Sequence, residues 1–451
     1  MLMRRYIISL LMVFMACGVW AQETYYYCGG KKIPLFTSVL RSSSESYTNA
    51  NGSYMEATGY LYVKLRRGSD KDLLAKMAEK FGVSIVEHSD YMPLWFVLKR
   101  NKENKNTILS ITNEIYNTGL FAECAPDLSV DGIELSYDPY VTKQWNLYNS
   151  GDTVFGSCSK KGVDINVSEA WNFSTGRNVK IAIVDEGIDL LHGDLSANVY
   201  KESYDAKTGK SPSCLYGTHG THCAGIVAAV RNNGFGITGV SPDSKLMSVS
   251  DELRHTEMAD FTHARGINWA WKHGADIISC SWRTDGPSKQ ISEAIDSALI
   301  YGRNGLGCVV VKSAGNNGHY ITTPGEKPGV ITVGNIGPDG KISRDSSPGD
   351  NLLVCAPGVN IPSFVNRNDT AVWSGTSMAA PHVSGIVALM LERNPNLTAR
   401  QVREILAKTA TRLPTMPVGI EKEFGFWDEY YGYGLVNAFL AVMKAIEYKQ
   451  K

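Results

Sequence analysis

The sequence lacks a charge excess of either sign: 45 basic residues balance 45 acidic ones, and the formal net charge is zero. A polyanion has no basic field to follow, which argues against nucleic-acid binding. After the first 21 residues there is also no apolar run approaching the roughly 20 residues that a membrane helix needs. Nine cysteines are present, yet none has the close Cys/His spacing of a zinc site or a thiol nucleophile. Low-complexity polarity is absent as well. With 20% charged and 43% apolar residues the chain is globular, and its 451 residues suffice for a large core plus an accessory domain.

What is present begins with a targeting pattern. Arg4 and Arg5 precede the apolar run from Tyr6 to Phe14, and Val19-Trp20-Ala21 supplies small residues before Gln22. This predicts a secretory signal peptide over 1–21 and a periplasmic or secreted protein. Cys17 follows a poor lipoprotein box, which leaves a lipid anchor as the alternative. Cys223, Cys280, Cys308 and Cys355 lie in apolar segments and read as buried thiols. Cys28 with Cys124, or Cys158 with Cys214, are open to disulfide pairing in an exported protein, and the sequence does not decide it. Cys223, four residues after His219, is a place where mercurials would inhibit without its being catalytic.

Residues 22–135 form a distinct segment. Arg41–Gly52 is Ser/Asn-rich and reads as loose. Beyond it Gly59–Leu65, Val83–Val86, Leu94–Leu98 and Phe121–Val130 read as strands, while Lys71–Phe81 and Thr107–Thr118 have helical spacing. The order β-α-β-β-α-β predicts a small ferredoxin-like unit. From residue 136 onward, buried strands (Val179–Val184, Lys245–Val249, Ile277–Cys280, Cys308–Lys312, Val330–Val333) alternate with helical stretches such as Phe261–Trp271 and Ile291–Ile300. That alternation predicts an α/β protein, three layers α/β/α around a mainly parallel sheet.

The chemistry concentrates in three segments. Ser374-Gly-Thr-Ser-Met-Ala-Ala-Pro-His382 sets Ser377 in a Gly/Thr turn just before an apolar helical run, Met378–Met390. A hydroxyl there faces free N–H groups and the positive end of a helix dipole, which favour developing negative charge. Val179–Asp185 is a β-branched run ending in a carboxylate, at the strand end where open α/β sheets carry their sites. Gly217-Thr-His-Gly-Thr-His-Cys-Ala-Gly225 leads into an apolar stretch and puts His219 near a helix start. An acid, an imidazole and a hydroxyl in the order Asp185, His219, Ser377 match one of the known chain orders of a serine hydrolase triad.

On these segments, with Ser313-Ala-Gly-Asn-Asn-Gly318 as a fourth, the chain resembles the subtilisin-like serine proteases from about Asp138 to Ala438. The resemblance implies that Ser377 is the nucleophile, His219 the general base, Asp185 the group that orients it, and Asn316 the oxyanion donor. His222 and Asn317 are the neighbouring competitors; Asp189 and Asp194 read as structural or metal-linked. It implies no cofactor for catalysis, protein or peptide substrates, and a monomer. The segment 22–135 resembles the family's propeptide, an intramolecular inhibitor and folding aid, followed by a peptidase domain over 136–451, the junction lying near Asp131–Tyr137. An accessory domain retained in the mature protein is the alternative. Tyr433–Ala438 resembles the family's closing helix, with no room for a further domain after it.

Substrate is implied to lie as an added strand beside Ser281, Trp282 and Arg283 and near Ser313, Ala314 and Gly315. Arg283 departs from the usual glycine and either narrows and charges the cleft or turns to solvent. Glu186 departs from the usual Ser or Thr. Kexin-type convertases carry an acid there, which implies a mild preference for Lys or Arg just before the residue at the cleaved bond. Gln144, Asp194 and Asn233 match positions that hold structural Ca2+ in many members, Asn232 being a possible substitute. Besides an endopeptidase of broad range, the pattern admits a dedicated processing protease and a catalytically silent binding protein. The last has no need of an intact triad and oxyanion asparagine.

Overall fold

A computed structural model describes residues 23–37, 45–49, 54–129, 136–253, 257–284 and 286–448. The expected signal peptide with Cys17, and most of the expected junction, lie outside the described residues. The chain divides into two compact units, Met1–Glu134 and Leu135–Lys451.

In the first unit, β4 (Tyr54–Lys64), α1 (Lys71–Lys80), β5 (Val83–His88), β6 (Trp95–Arg100), α2 (Ile108–Asn117) and β7 (Glu123–Ser129) follow the expected succession. β4 pairs antiparallel with both β6 and β7, and β5 pairs with β6, so the order β7-β4-β6-β5 is the ferredoxin-like one. Leu61, Val63, Leu74, Leu98, Ile108, Ile111 and Ile115 are the apolar stripes of these elements and form one core. α2 starts where Thr107 Oγ1 accepts the Ser110 N–H at 3.2 Å. The sequence reading missed an extension. β1 (Glu23–Cys28), β2 (Lys31–Thr37) and β3 (Ser46–Asn49) run antiparallel onto the first half of β4. β3 therefore corrects the loose reading of Arg41–Gly52 at Ser46–Asn49; residues 41–44 and 50–52 lie outside the described residues. Its Ser and Asn content says loop, but a neighbouring strand edge supplies the hydrogen bonds that local propensity does not.

The second unit is the three-layer α/β/α body. Its sheet has the order β14-β13-β12-β11-β8-β10-β9. The strands are β8 (Lys180–Asp185), β9 (Tyr204–Asp205), β10 (Lys245–Ser250), β11 (Ile277–Cys280), β12 (Val309–Ser313), β13 (Ile331–Ile336) and β14 (Leu352–Pro357), and every pairing is parallel. The helices are α3 (Val167–Ala170), α4 (His219–Ala228), α5 (Ala259–Lys272), α6 (Lys289–Tyr301), α7 (Thr376–Arg393), α8 (Ala399–Thr409) and α9 (Ala438–Glu447). Ala264, Ile267, Ile291 and Ile295 of α5 and α6 pack on Ala182, Val184, Met247 and Ile278 of one sheet face. α7 lies across β11–β14 and also packs on α4 and α9. Both faces being covered, the strands are continuous apolar runs, which is why they were legible.

Two readings change. Tyr433–Ala438 is not a helix. Leu435 bridges to Cys355 and Thr411, Asn437 Oδ1 caps the next segment by accepting the Leu440 N–H at 3.0 Å, and the helix begins only at Ala438. The two suggested disulfides are not formed: all eight cysteines from Cys28 to Cys355 are free thiols.

The first unit depends on its own small core. Ile111, 1% exposed, sits at its centre, and Ile111→Ala should destabilise this unit by about 2–5 kcal/mol. Urea denaturation followed by tryptophan fluorescence, with Trp95 as the unit's reporter, checks this.

Candidate active site

The site lies at the carboxyl edge of the parallel sheet. β8 ends in Asp185, β11 runs out into Ser281–Thr284, β12 ends in Ser313, and α4 and α7 begin there. Close approach requires glycine: a Cβ on Gly220, in the first turn of α4, would lie 2.3 Å from Gly187 O and 3.2 Å from Asp185 Cβ. This brings two of the expected residues together. His219 Nδ1 lies 2.8 Å and 3.0 Å from the two oxygens of Asp185. Asp185 is fully buried, and its Oδ1 also accepts the Glu186 N–H at 2.8 Å. Burial by itself would lower the His219 pKa. The adjoining Asp185 carboxylate and, after it, Cys223 together outweigh burial and raise the His219 pKa well above its ordinary value.

Ser377 is the second residue of α7, 9% exposed. Its hydroxyl donates to Ser281 O at 3.0 Å, so among the described residues it has no hydrogen bond to His219. One χ1 rotation separates this rotamer from the others open to a serine. Ser281 Oγ donates to Ser377 O at 3.1 Å, and Cys223 Sγ lies 3.5 Å from the same oxygen and 3.9 Å from His219 Nδ1. Cys223 is fully packed, as expected of a buried thiol. Asp185, His219 and Cys223 are the single metal-capable grouping of three or more His, Cys, Asp or Glu among the described residues.

Asn316 and Asn317 separate clearly. Asn316 Oδ1 accepts the Thr376 N–H and the Thr376 hydroxyl, each at 2.8 Å. Because a backbone N–H can only donate, the amide orientation is fixed, and Nδ2 is left over as a donor with no hydrogen-bond partner among the described residues. A Cβ on Gly375 would sit 3.1 Å from that nitrogen, so glycine keeps its surroundings open. Asn317 Oδ1 instead accepts from His319 N at 3.1 Å and Ser347 Oγ at 2.9 Å, which shapes the turn. His222 stacks on Trp373 at 4.4 Å, and burial pushes its pKa down to about 3. It is a neutral packing residue. His382 is likewise held neutral, its pKa pushed down to about 4 by burial.

A cavity of about 490 Å³ opens beside His219, lined by Glu186, Asp260, His263, Ser281, Trp282 and Arg283 among others. Arg283 lines this cavity and is also exposed to solvent, so both expected readings of it stand. Trp282 turns its indole N–H inward to Val184 O at 2.8 Å. Glu186 reaches the cavity too, but its Oε2 accepts the His219 backbone N–H at 3.1 Å. Ser313 and Ala314 are buried, and Gly315 N donates to Thr376 Oγ1 at 3.1 Å.

The three expected metal residues surround one loop. Asp194 is fully buried, and burial pushes its pKa up to about 7. Asn233 turns its amide nitrogen to Asp194 Oδ1, and its own Oδ1 accepts the Phe235 N–H at 2.9 Å. Gln144 is closed on the Thr238 peptide by two bonds of 2.8 Å. Asp189 is structural, accepting from Arg367 N and Leu191 N. The sequence reading passed over Asp138, whose carboxylate accepts the N–H groups of Asn232, Asn233 and Gly234 and so holds the same loop.

Lys312 was also passed over, though a lone lysine closing the run Cys308-Val-Val-Val-Lys312 was a visible signal. It is 3% exposed, and its Nζ donates to Ser313 O at 2.9 Å and to Ser313 Oγ at 3.1 Å. Burial pushes its pKa down to about 8 from 10.5.

The match to known proteins is extensive. The family model described as Peptidase_S8, the subtilase family, matches residues 176–434. The chain is 36% identical over 269 residues to subtilisin of Bacillus pumilus, covering 58% of this chain and 90% of that protein. It is 35% identical over 302 residues to fervidolysin of Fervidobacterium pennivorans, covering 60% of this chain and 41% of the relative. A calcium-dependent protease of Nostoc sp. is 29% identical over 439 residues, 86% of this chain and 64% of its own length. The chain therefore spans less than half of fervidolysin and less than two thirds of the Nostoc protein. Among solved structures, a protease of Pseudoalteromonas arctica superposes with a TM-score of 0.57 at 28% identity, over 69% of this chain and 99% of that one.

The depressed pKa of Lys312 carries a stability signature. A lysine of lowered folded pKa costs nothing above its unfolded value near 10.5, and its full penalty is reached as pH falls through about 8. Relative to Lys312→Met, the native chain should therefore lose on the order of 3 kcal/mol between pH 10.5 and pH 8, with no further change below. Paired denaturation curves across that range, both proteins carrying Ser377→Ala to prevent self-digestion, measure the difference.

Proposed function

The chain belongs to the subtilase family, and from that premise we propose that it is a secreted serine endopeptidase, made as a self-processed zymogen, in which Asp185, His219 and Ser377 form the triad. The observation that carries this reading is the 2.8 Å bond from His219 to the buried Asp185 at the sheet edge where α7 begins with Ser377. With Nδ1 held by Asp185, the Nε2 of His219, deprotonated at a pH above its raised pKa, takes the Ser377 proton as Oγ attacks the scissile carbonyl. The oxyanion that forms meets the free Asn316 Nδ2 and the Ser377 N–H, which in the first turn of α7 has no intrahelical acceptor. His219 then passes the proton to the leaving amine, and water releases the acyl group by the same steps reversed. Ser281–Arg283 and Ser313–Gly315 flank the peptide. Charged cavity walls at Arg283, Asp260 and Glu186 favour selectivity among substrates, the property of a dedicated processing protease. No helix among the described residues is long and apolar enough to cross a membrane.

The ferredoxin-like topology of the first unit supports its role as the inhibitory propeptide. Intact mass spectrometry of the protein made without its first 21 residues tests both halves of the proposal. The wild type should lose about 110–120 N-terminal residues, the span of one small domain, and Ser377→Ala should stay whole. An uncleaved wild type would remove self-processing.

A structural calcium ion is proposed at Asp194. A buried carboxylate with amide and main-chain oxygens nearby is the donor type this hard cation takes, the Asn233 oxygen being already held by the Phe235 N–H. The name of the Nostoc relative, a calcium-dependent protease, points the same way. Chelation with EDTA should lower the melting temperature by several degrees, and Ca2+ but not Mg2+ should restore it. An unchanged melting temperature would leave the loop to Asp138 alone.

A further inference from the structure

α4 begins with an uncapped turn. Its N-cap residue, Thr218, makes no side-chain hydrogen bond to the helix, so the first N–H groups of α4 need acceptors from elsewhere. The first of them belongs to His219 itself, and Glu186 Oε2 accepts it at 3.1 Å. The same residue reaches in two other directions. Its own N–H donates to Asp185 Oδ1 at 2.8 Å, and its carbonyl accepts the Tyr216 N–H at 2.8 Å. One residue thus joins the end of β8, the Asp185 carboxylate, the loop before α4 and the backbone of His219. The space it occupies is reserved: a Cβ on Gly217 would lie 1.8 Å from Glu186 Oε2 and 2.3 Å from its carboxyl carbon. An acid at a helix N-terminus is also favoured by the dipole.

We propose that Glu186 is a positioning residue for the general base: its carboxylate caps α4 at His219 while its N–H steadies Asp185, so that the imidazole and the acid stay in register. This rests on the triad reading above. It differs from the expectation that Glu186 reads a basic substrate residue, because the carboxylate oxygen is turned to the His219 backbone. It also explains the glycine at 217, which the sequence alone leaves as one more turn residue.

Steady-state kinetics on a peptide substrate, with hydrogen–deuterium exchange at the start of α4, tests the proposal on Glu186→Ala, Glu186→Gln and Gly217→Ala. Loss of the cap should lower kcat on the order of 10²-fold in Glu186→Ala with KM unchanged, the cost of a displaced catalytic group. Glu186→Gln keeps an acceptor oxygen and should recover most of that rate. Gly217→Ala should impair the wild type, by pushing the carboxylate aside, but add little to Glu186→Ala, so the two effects fail to add. Exchange over His219–Thr221 should quicken in Glu186→Ala and stay slow in Glu186→Gln. Wild-type kcat in Glu186→Ala would overturn the proposal. So would a rise in KM confined to substrates with Lys or Arg, shared by Ala and Gln, which would make Glu186 a substrate reader. Exchange equal in the wild type, Glu186→Ala and Glu186→Gln would overturn it whatever the turnover. A wild type that cleaves no peptide refutes the triad reading instead, and the exchange comparison then still decides whether Glu186 holds α4.

Discussion

The hydrogen bond between His219 and Asp185 exists only because a helix start is pressed against a strand end with no room for a side chain between them. β8 delivers a carboxylate out of the sheet into full burial, and α4 approaches through Gly220 so closely that a methyl group would strike Gly187 O. A buried carboxylate is costly alone. Here the Glu186 N–H and the His219 ring satisfy it, and the imidazole in return is fixed in one tautomer. The serine end is built by the same economy of backbone groups. Asn316 commits its oxygen to Thr376, which leaves its nitrogen as a donor for the oxyanion role proposed above. Ser377 lies in the first turn of α7, where N–H groups have no partner within the helix.

Much of this was legible because parallel sheets buried on both faces leave a plain mark. The runs ending at Asp185, Cys280 and Lys312 are rich in β-branched and apolar residues, and the strands fall within a residue or two of where those runs lie. The helices α5 and α6 announced themselves by period. The Asp185, His219 and Ser377 segments combined glycine, a functional residue and an apolar continuation, and the structure turns each into a strand end or helix start. The ferredoxin-like order of the first unit came from alternation alone.

What the sequence hid depends on pairing and on hydrogen-bond direction. β3 is polar and short, and only the edge of β2 and the early half of β4 make it a strand. Tyr433–Ala438 resembles the family's closing helix, yet Leu435 is drawn into bridges with Cys355 and Thr411 before α9 can start. Whether Glu186 faces a substrate or a backbone N–H, and whether Asn316 or Asn317 keeps a free donor, is a matter of a single torsion or amide orientation. Composition carries no record of either. Asp138 escaped notice for the same reason: its acceptors close a loop nearly 100 residues away in sequence.

The central claim is that Ser377 is a nucleophile activated by the Asp185-paired His219. Covalent labelling with a fluorophosphonate, followed by peptide mapping, reads this directly. The account predicts one adduct, on Ser377, formed by the wild type and lost in His219→Ala. An unlabelled wild type, or an adduct on Ser377 that forms as fast without His219, would contradict it.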